Sequence, residues 1–160
     1  MLSEAARARA ESRGPGAWGF LLAHHWSGQL DRCYQAWIGQ RPVWFCSRCC
    51  GVYPALFVVL ALQLFFSIPR GWWDLPWLFL LPAPALVDWA LGRLGIRPGT
   101  NRGRTFWGLF LGASLGRMIY LNMIDPANTL VVFQIAALVG VLVLVESARP
   151  FVIRHREAGP

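Results

Sequence analysis

Residues 46–68 read CSRCCGVYPALFVVLALQLFFSI, a cysteine-rich turn that runs without a break into an apolar stretch. Between Gly51 and Phe66 the only polar side chains are Tyr53 and Gln63, and Pro69-Arg70 closes the run. That length approaches the ~20 residues a helix needs to cross the hydrocarbon core of a bilayer. Three further apolar runs follow, at 73–91, 105–121 and 129–145. Pro76, Pro82 and Pro84 should kink the second, which neighbouring helices tolerate in lipid. Gly108, Gly112 and Gly116 stand four apart in the third, on one helical face where another helix can approach closely.

Composition agrees with a membrane solvent. Apolar residues make up 56% and charged residues only 14% of the chain, against roughly a quarter charged in ordinary soluble domains. The net charge of +7 comes from fifteen arginines, with no lysine. These gather at the ends of the apolar runs, where membrane topology and anionic headgroups account for them, so nucleic acid is not the expected partner. Arg32, Arg41 and Arg48 precede the first run, Arg93, Arg97, Arg102 and Arg104 lie between the second and third, and Arg149, Arg154 and Arg156 follow the fourth. The opposite loops hold only Arg70 with Asp74, and Asp125. The positive-inside rule therefore predicts a multi-pass protein of a bacterial or archaeal inner membrane, with both termini cytoplasmic.

Upstream of the first run, residues 1–16 read as a disordered tail ending in Gly14-Pro15-Gly16, without the apolar region of a cleaved signal peptide. The stretch 17–30 is too short to span; Trp18 and Trp26 suit an interfacial helix. A loop-rich segment broken by Gly39 and Pro42 leads to residue 50. Domains are thus expected as tail (1–16), interfacial helix with knuckle (17–50), four-helix bundle (51–148) and basic cytoplasmic tail (149–160).

All four cysteines lie in that knuckle, with spacing His25-x7-Cys33-x12-Cys46-x2-Cys49. Cytoplasmic thiols stay reduced, so the cluster suggests ligands rather than disulfides. A close Cys-x-x-Cys pair with a second pair returned by a loop is what tetrahedral zinc requires. Cys33, Cys46, Cys49 and His25 form the expected set, with His24 and Cys50 as alternates. The competing readings are reduced cysteines packed at the interface and a redox dithiol of Cys46 and Cys49, activated by Arg48.

Charged residues near the runs add a second candidate site. Asp88 and Glu146 lie close to the cytoplasmic ends of the second and fourth runs, within reach of the arginine loop. There, Gly99-Thr100-Asn101-Arg102-Gly103-Arg104 opens the third helix, and a glycine- and arginine-rich helix N-terminus suits a phosphate. Simple pairing of arginines with the nearest acids is the plainer alternative. Arg117, about 18 Å into the third run at 1.5 Å per residue, is expected to snorkel to the outer interface, with a substrate-binding role as the alternative.

Cys33-Tyr34-Gln35, Cys46-Ser47-Arg48-Cys49-Cys50-Gly51-Val52-Tyr53, Asp88-Trp89, Gly95-x-Arg97 and Thr100-Asn101-x-x-Arg104 give the chain a resemblance to the prokaryotic membrane proteins grouped as domain of unknown function 2085. The resemblance covers about residues 24–116. It departs at Tyr34, where the family pattern has histidine, and at Cys50, where it has threonine. The resemblance implies a small polytopic membrane fold and this site, and it carries no reaction.

The reading is an all-α membrane protein with four transmembrane helices, capped by the interfacial helix and the Cys/His knuckle. Its expected role is an accessory or scaffold protein, its zinc shaping a surface for a membrane protein partner or an anionic lipid headgroup. The alternatives are a thiol redox component and an enzyme or transporter of a phosphorylated lipid or small anion. For the enzyme, Asp88 would accept a proton and Asn101 and Arg104 would hold the anion.

Overall fold

The computed structural model describes residues 23, 27–39 and 41–157. The knuckle is ordered by a β-hairpin rather than by loops. A short 3-10 helix, Ser27–Arg32, leads into β1 (Cys33–Ile38), which pairs antiparallel with β2 (Arg41–Cys46). Gly39 takes φ 62° at the connection, the left-handed conformation that tight hairpin turns demand. Pro42, read as a breaker, is tolerated. The Ser47 N–H bonds the Arg32 carbonyl at 3.2 Å, and alternation from there puts Pro42 opposite Trp37 in a pair whose N–H groups point away from the ladder. Cys33, Trp44 and Cys46 are buried, with Ala23 and Leu30 packed on Cys33 and Trp44.

Four helices follow: α1 (Cys49–Phe66), α2 (Ala83–Arg93), α3 (Asn101–Ile124) and α4 (Thr129–Glu157). The second apolar run is divided, as its prolines predict: Pro76–Leu80 forms a π-helical turn and α2 begins only after Pro82. Because Pro82 has no N–H, the Leu78 carbonyl lacks its helical donor. Gln134 Nε2 from α4 reaches that carbonyl at 3.0 Å, and Ser114 Oγ from α3 lies 2.9 Å from the same amide nitrogen. α4 continues through Pro150 to Glu157, so most of the expected basic tail is helical. The expected tail 1–16 lies outside the described residues; of the expected interfacial helix 17–30, residues 23 and 27–30 are described, the latter within the 3-10 helix that leads into β1.

Helix α3 packs along α1 without intervening side chains. A Cβ on Gly108 would sit 2.7 Å from the Arg48 carbonyl, one on Gly112 would overlap the Val52 carbonyl, and one on Gly116 would sit 2.8 Å from that of Leu56. Each step of four along α3 meets a step of four along α1 in the same direction, so the two helices run parallel. The glycine face is used as its spacing predicts.

The burial pattern is inverted relative to a water-soluble protein. Inside, α1 buries Gly51 and Gln63, while Phe57, Phe65 and Phe66 face outward. Gln134 of α4 is buried, whereas Phe133 and Leu144 are exposed. Apolar surface of this extent needs an apolar solvent. Among the described residues, two helical segments, Cys49–Phe66 and Thr129–Arg154, are long and apolar enough to cross a membrane.

Arg117 departs from expectation. It turns inward, and its side chain is 4% exposed. Its Nε donates to Asp74 Oδ1 at 2.7 Å, Nη1 to Gln63 Oε1 at 2.7 Å and Nη2 to the Pro69 carbonyl at 2.9 Å. Asp74 has a second bond from the Gly71 N–H at 3.1 Å. Snorkelling loses because a carboxylate, an amide and loop carbonyls converge on the guanidinium within the protein.

Candidate functional site

At the arginine-rich end the hairpin folds onto the start of α3, and the first turn of α3 holds it there. Thr100 caps the helix, accepting the Gly103 N–H at 3.1 Å. Asn101 Nδ2 donates to the carbonyls of Asp31 (2.9 Å) and Cys33 (3.3 Å), and Arg104 Nη1 donates to Asn101 Oδ1 at 3.2 Å. The Thr105 hydroxyl donates to the Ser47 carbonyl at 2.7 Å and meets the Tyr34 hydroxyl at 2.9 Å. Asn101, a candidate anion ligand from sequence, thus acts on the hairpin backbone. Tyr34, placed where a histidine was expected, serves the same junction.

Beside this junction lies a cavity of about 300 Å³, lined by Arg32, Arg48, Arg93, Arg104, Asp88 and Trp89, with Cys46 and Cys49 in its wall. Four separate segments place these groups: the 3-10 helix ends in Arg32, Arg48 precedes α1, α2 carries Asp88 at its middle and Arg93 at its end, and Arg104 stands in the first turn of α3. Arg48 Nη2 pairs with Asp88 Oδ2 at 2.8 Å, and Arg93 Nη2 bonds Glu146 Oε2 at 3.2 Å. Among the described residues, neither Arg32 nor Arg104 has a carboxylate within salt-bridge distance. Arg104 lies within electrostatic reach of Arg32 and Arg48, and of the carboxylates of Asp88 and Asp31. The four cavity guanidiniums therefore outnumber the three carboxylates near them, Asp31, Asp88 and Glu146. Arg48 Nε is buried without a hydrogen-bond partner, a cost that an added acceptor would remove.

Cys46 and Cys49 line this cavity, and Cys33 and Cys50 lie near them. Cys33 faces Cys46 across the ladder in a non-hydrogen-bonded pair, the kind whose side chains approach most closely. The Cys46 and Cys49 thiols are within hydrogen-bonding reach of each other. Cys50 is close enough to interact electrostatically with Cys33 and Cys46. Burial first, and then the neighbouring Cys46, pushes the Cys33 thiol up to about 11, so without a cation it stays protonated at neutral pH. Among the described residues no three of Cys, His, Asp and Glu are arranged to hold a metal ion. His25 and His24, the expected and alternate fourth ligands, lie outside the described residues. Arg48, assigned from sequence to activating a dithiol, has its charge matched by Asp88.

The family described as a predicted membrane protein, DUF2085, matches residues 32–118, from the cysteine hairpin through most of α3. The chain belongs to the DUF2085 family. That match takes in every residue lining the cavity of this DUF2085 protein and leaves α4 outside it. No curated protein and no solved structure matches the chain.

Sequence reasoning identified Asp88, Arg104 and the cysteines, and the fold brings them to this cavity or close beside it. It missed Arg32 as a cavity residue and Arg48 as the partner of Asp88. Their position at the boundary of the knuckle, each beside a cysteine or one residue from it, was the available signal.

Proposed function

We propose that this chain is an accessory membrane protein that binds an anionic headgroup in the arginine cavity, with the cysteine hairpin as the wall that keeps the cavity in shape. In this reading all four helical runs cross an inner membrane and the arginine-rich end faces the cytoplasm. The parallel course of α1 and α3 supports it, since the intervening chain must return. The observation carrying the proposal is that four guanidiniums from separate elements line one cavity while, among the described residues, only two have a carboxylate within salt-bridge distance. Guanidinium forks suit phosphate oxygens, and charge-assisted bonds are the strong ones.

Glycerol 3-phosphate, the soluble part of a phospholipid headgroup, tests this. It should bind inverted inner-membrane vesicles carrying the protein and not right-side-out ones. Arg104→Gln and Arg32→Gln should each weaken binding about tenfold, as loss of one charged hydrogen bond does. Equal affinity in wild type and both variants, or binding on the outer face, would sink the proposal.

The nearness of thiols from β1, β2 and α1 motivates a second reading, in which Cys33, Cys46 and Cys49, not arranged around one point in the structure, close on zinc with His25, His24 or Cys50 as fourth ligand. The metal would be structural and would fix the hairpin on α3. Protein purified without chelator should then carry stoichiometric zinc by elemental analysis, lost in Cys33→Ser and Cys49→Ser. Retention in His25→Ala would shift the fourth position to His24 or Cys50. Finding no zinc in the wild type would end this reading without touching the first.

A further inference from the structure

A second cavity, a groove of about 490 Å³, adjoins the arginine cavity and shares Asp88 with it. Its long wall is apolar: Leu80 of the π-helical turn, then Ala83, Val87 and Leu91 along one face of α2, opposite Trp107 of α3. Leu80 and Val87 are largely exposed, so the groove opens sideways rather than into the bundle. Its other end is polar, formed by Arg97, Gly99 and Thr100. Gly99 stands at the junction of the two cavities: a Cβ there would lie 3.0 Å from Asp88 Oδ1 and 3.3 Å from Arg104 Nε. The junction is thus bordered by backbone that carries no side chain, and Asp88 is already matched by Arg48 at 2.8 Å. A cationic cavity adjoining a laterally open apolar groove is complementary to an amphiphile with an anionic head. A free anion would leave the groove without a role.

Resting on the anion reading above, we infer that the ligand is a glycerophospholipid, its phosphate in the arginine cavity and one acyl chain in the groove between α2 and α3. The lipid enters sideways from the bilayer. Its phosphate supplies acceptors to Arg32 and Arg104 and to the buried Nε of Arg48, and the chain lies against Ala83, Val87 and Trp107. Since the tail leaves one apolar medium for another, the groove contributes placement of the headgroup more than affinity.

Native mass spectrometry of the full chain, with phosphatidylglycerol and phosphatidylcholine supplied in equal amounts, tests this inference. Phosphatidylglycerol should be retained preferentially. Arg104→Gln should lower that retention about tenfold. Ala83→Phe, which fills the groove, should lower it severalfold by displacing the chain that places the phosphate among the guanidiniums, while glycerol 3-phosphate binding stays at the wild-type level. Circular dichroism and the thermal midpoint establish that each variant is folded. If Ala83→Phe leaves phosphatidylglycerol retention unchanged while glycerol 3-phosphate still binds, the lipid inference is overturned and the anion reading stands. Failure of glycerol 3-phosphate to bind the wild type overturns both. Disulfide trapping of Val87→Cys to a second copy of the chain in a bilayer, without lipid retention, would assign the groove to self-association and overturn the inference.

Discussion

Arg117→Met should destabilise the protein by about 3–5 kcal/mol, the range for removing one partner of a buried ion pair. Asp74 is 2% exposed on its side chain and would keep a charge without the guanidinium 2.7 Å away. Gln63 Oε1 and the carbonyls of Ile68 and Pro69 would lose their donor in the same step. The cost arises from stranding these groups, so the double variant Arg117→Met/Asp74→Leu should recover a good part of it. Unfolding in mixed micelles at increasing SDS fraction measures all three proteins. If the single variant lies within 1 kcal/mol of wild type, a typical surface-pair effect, the pair is not the buried clamp described above.

Gly112→Leu should be as damaging through a different mechanism. Its Cβ would overlap the Val52 carbonyl, and a backbone atom cannot rotate aside, so α1 and α3 would have to separate. Overpacking costs typically 1–3 kcal/mol and occasionally more; a clash against backbone along a parallel helix pair belongs at about 3 kcal/mol or above. Gly140→Leu is the matched control, since a Cβ there meets nothing within 4 Å, and it should be nearly neutral. The same SDS titration would contradict the α1–α3 contact if the two substitutions had equal effects. A further consequence links this contact to the candidate site. Gly108 meets the Arg48 carbonyl, so separating the helices would also displace Arg48 from Asp88.

Some of this was legible locally. Helical runs, their solvent and the proline break are written in consecutive residues. The glycine face was equally plain, because a spacing of four projects onto one side of any helix. The hairpin was misread as loop because Gly39 and Pro42 look like breakers, although each suits a position that a tight hairpin provides. The cysteine cluster was visible as spacing, but not that Cys33 and Cys46 would be cross-strand neighbours, which depends on register. Arg117 was misassigned because its depth is readable from the sequence and its partner is not.

By itself, the sequence determined the membrane character, the helical runs, the close-packing face of the third helix and the concentration of arginine and cysteine at one end. These follow from short-range periodicity and composition, which act on each segment whatever the rest of the chain does. Only the tertiary structure decided which arginine answers which acid: Arg48 with Asp88 across 40 residues, Arg117 with Asp74 across 43 and Arg93 with Glu146 across 53. It also decided which two of the four cavity guanidiniums remain without a carboxylate within salt-bridge distance among the described residues. Pairing over such separations depends on how helices stack, and for α1 and α3 that is set by backbone contact at Gly51, Gly108, Gly112 and Gly116.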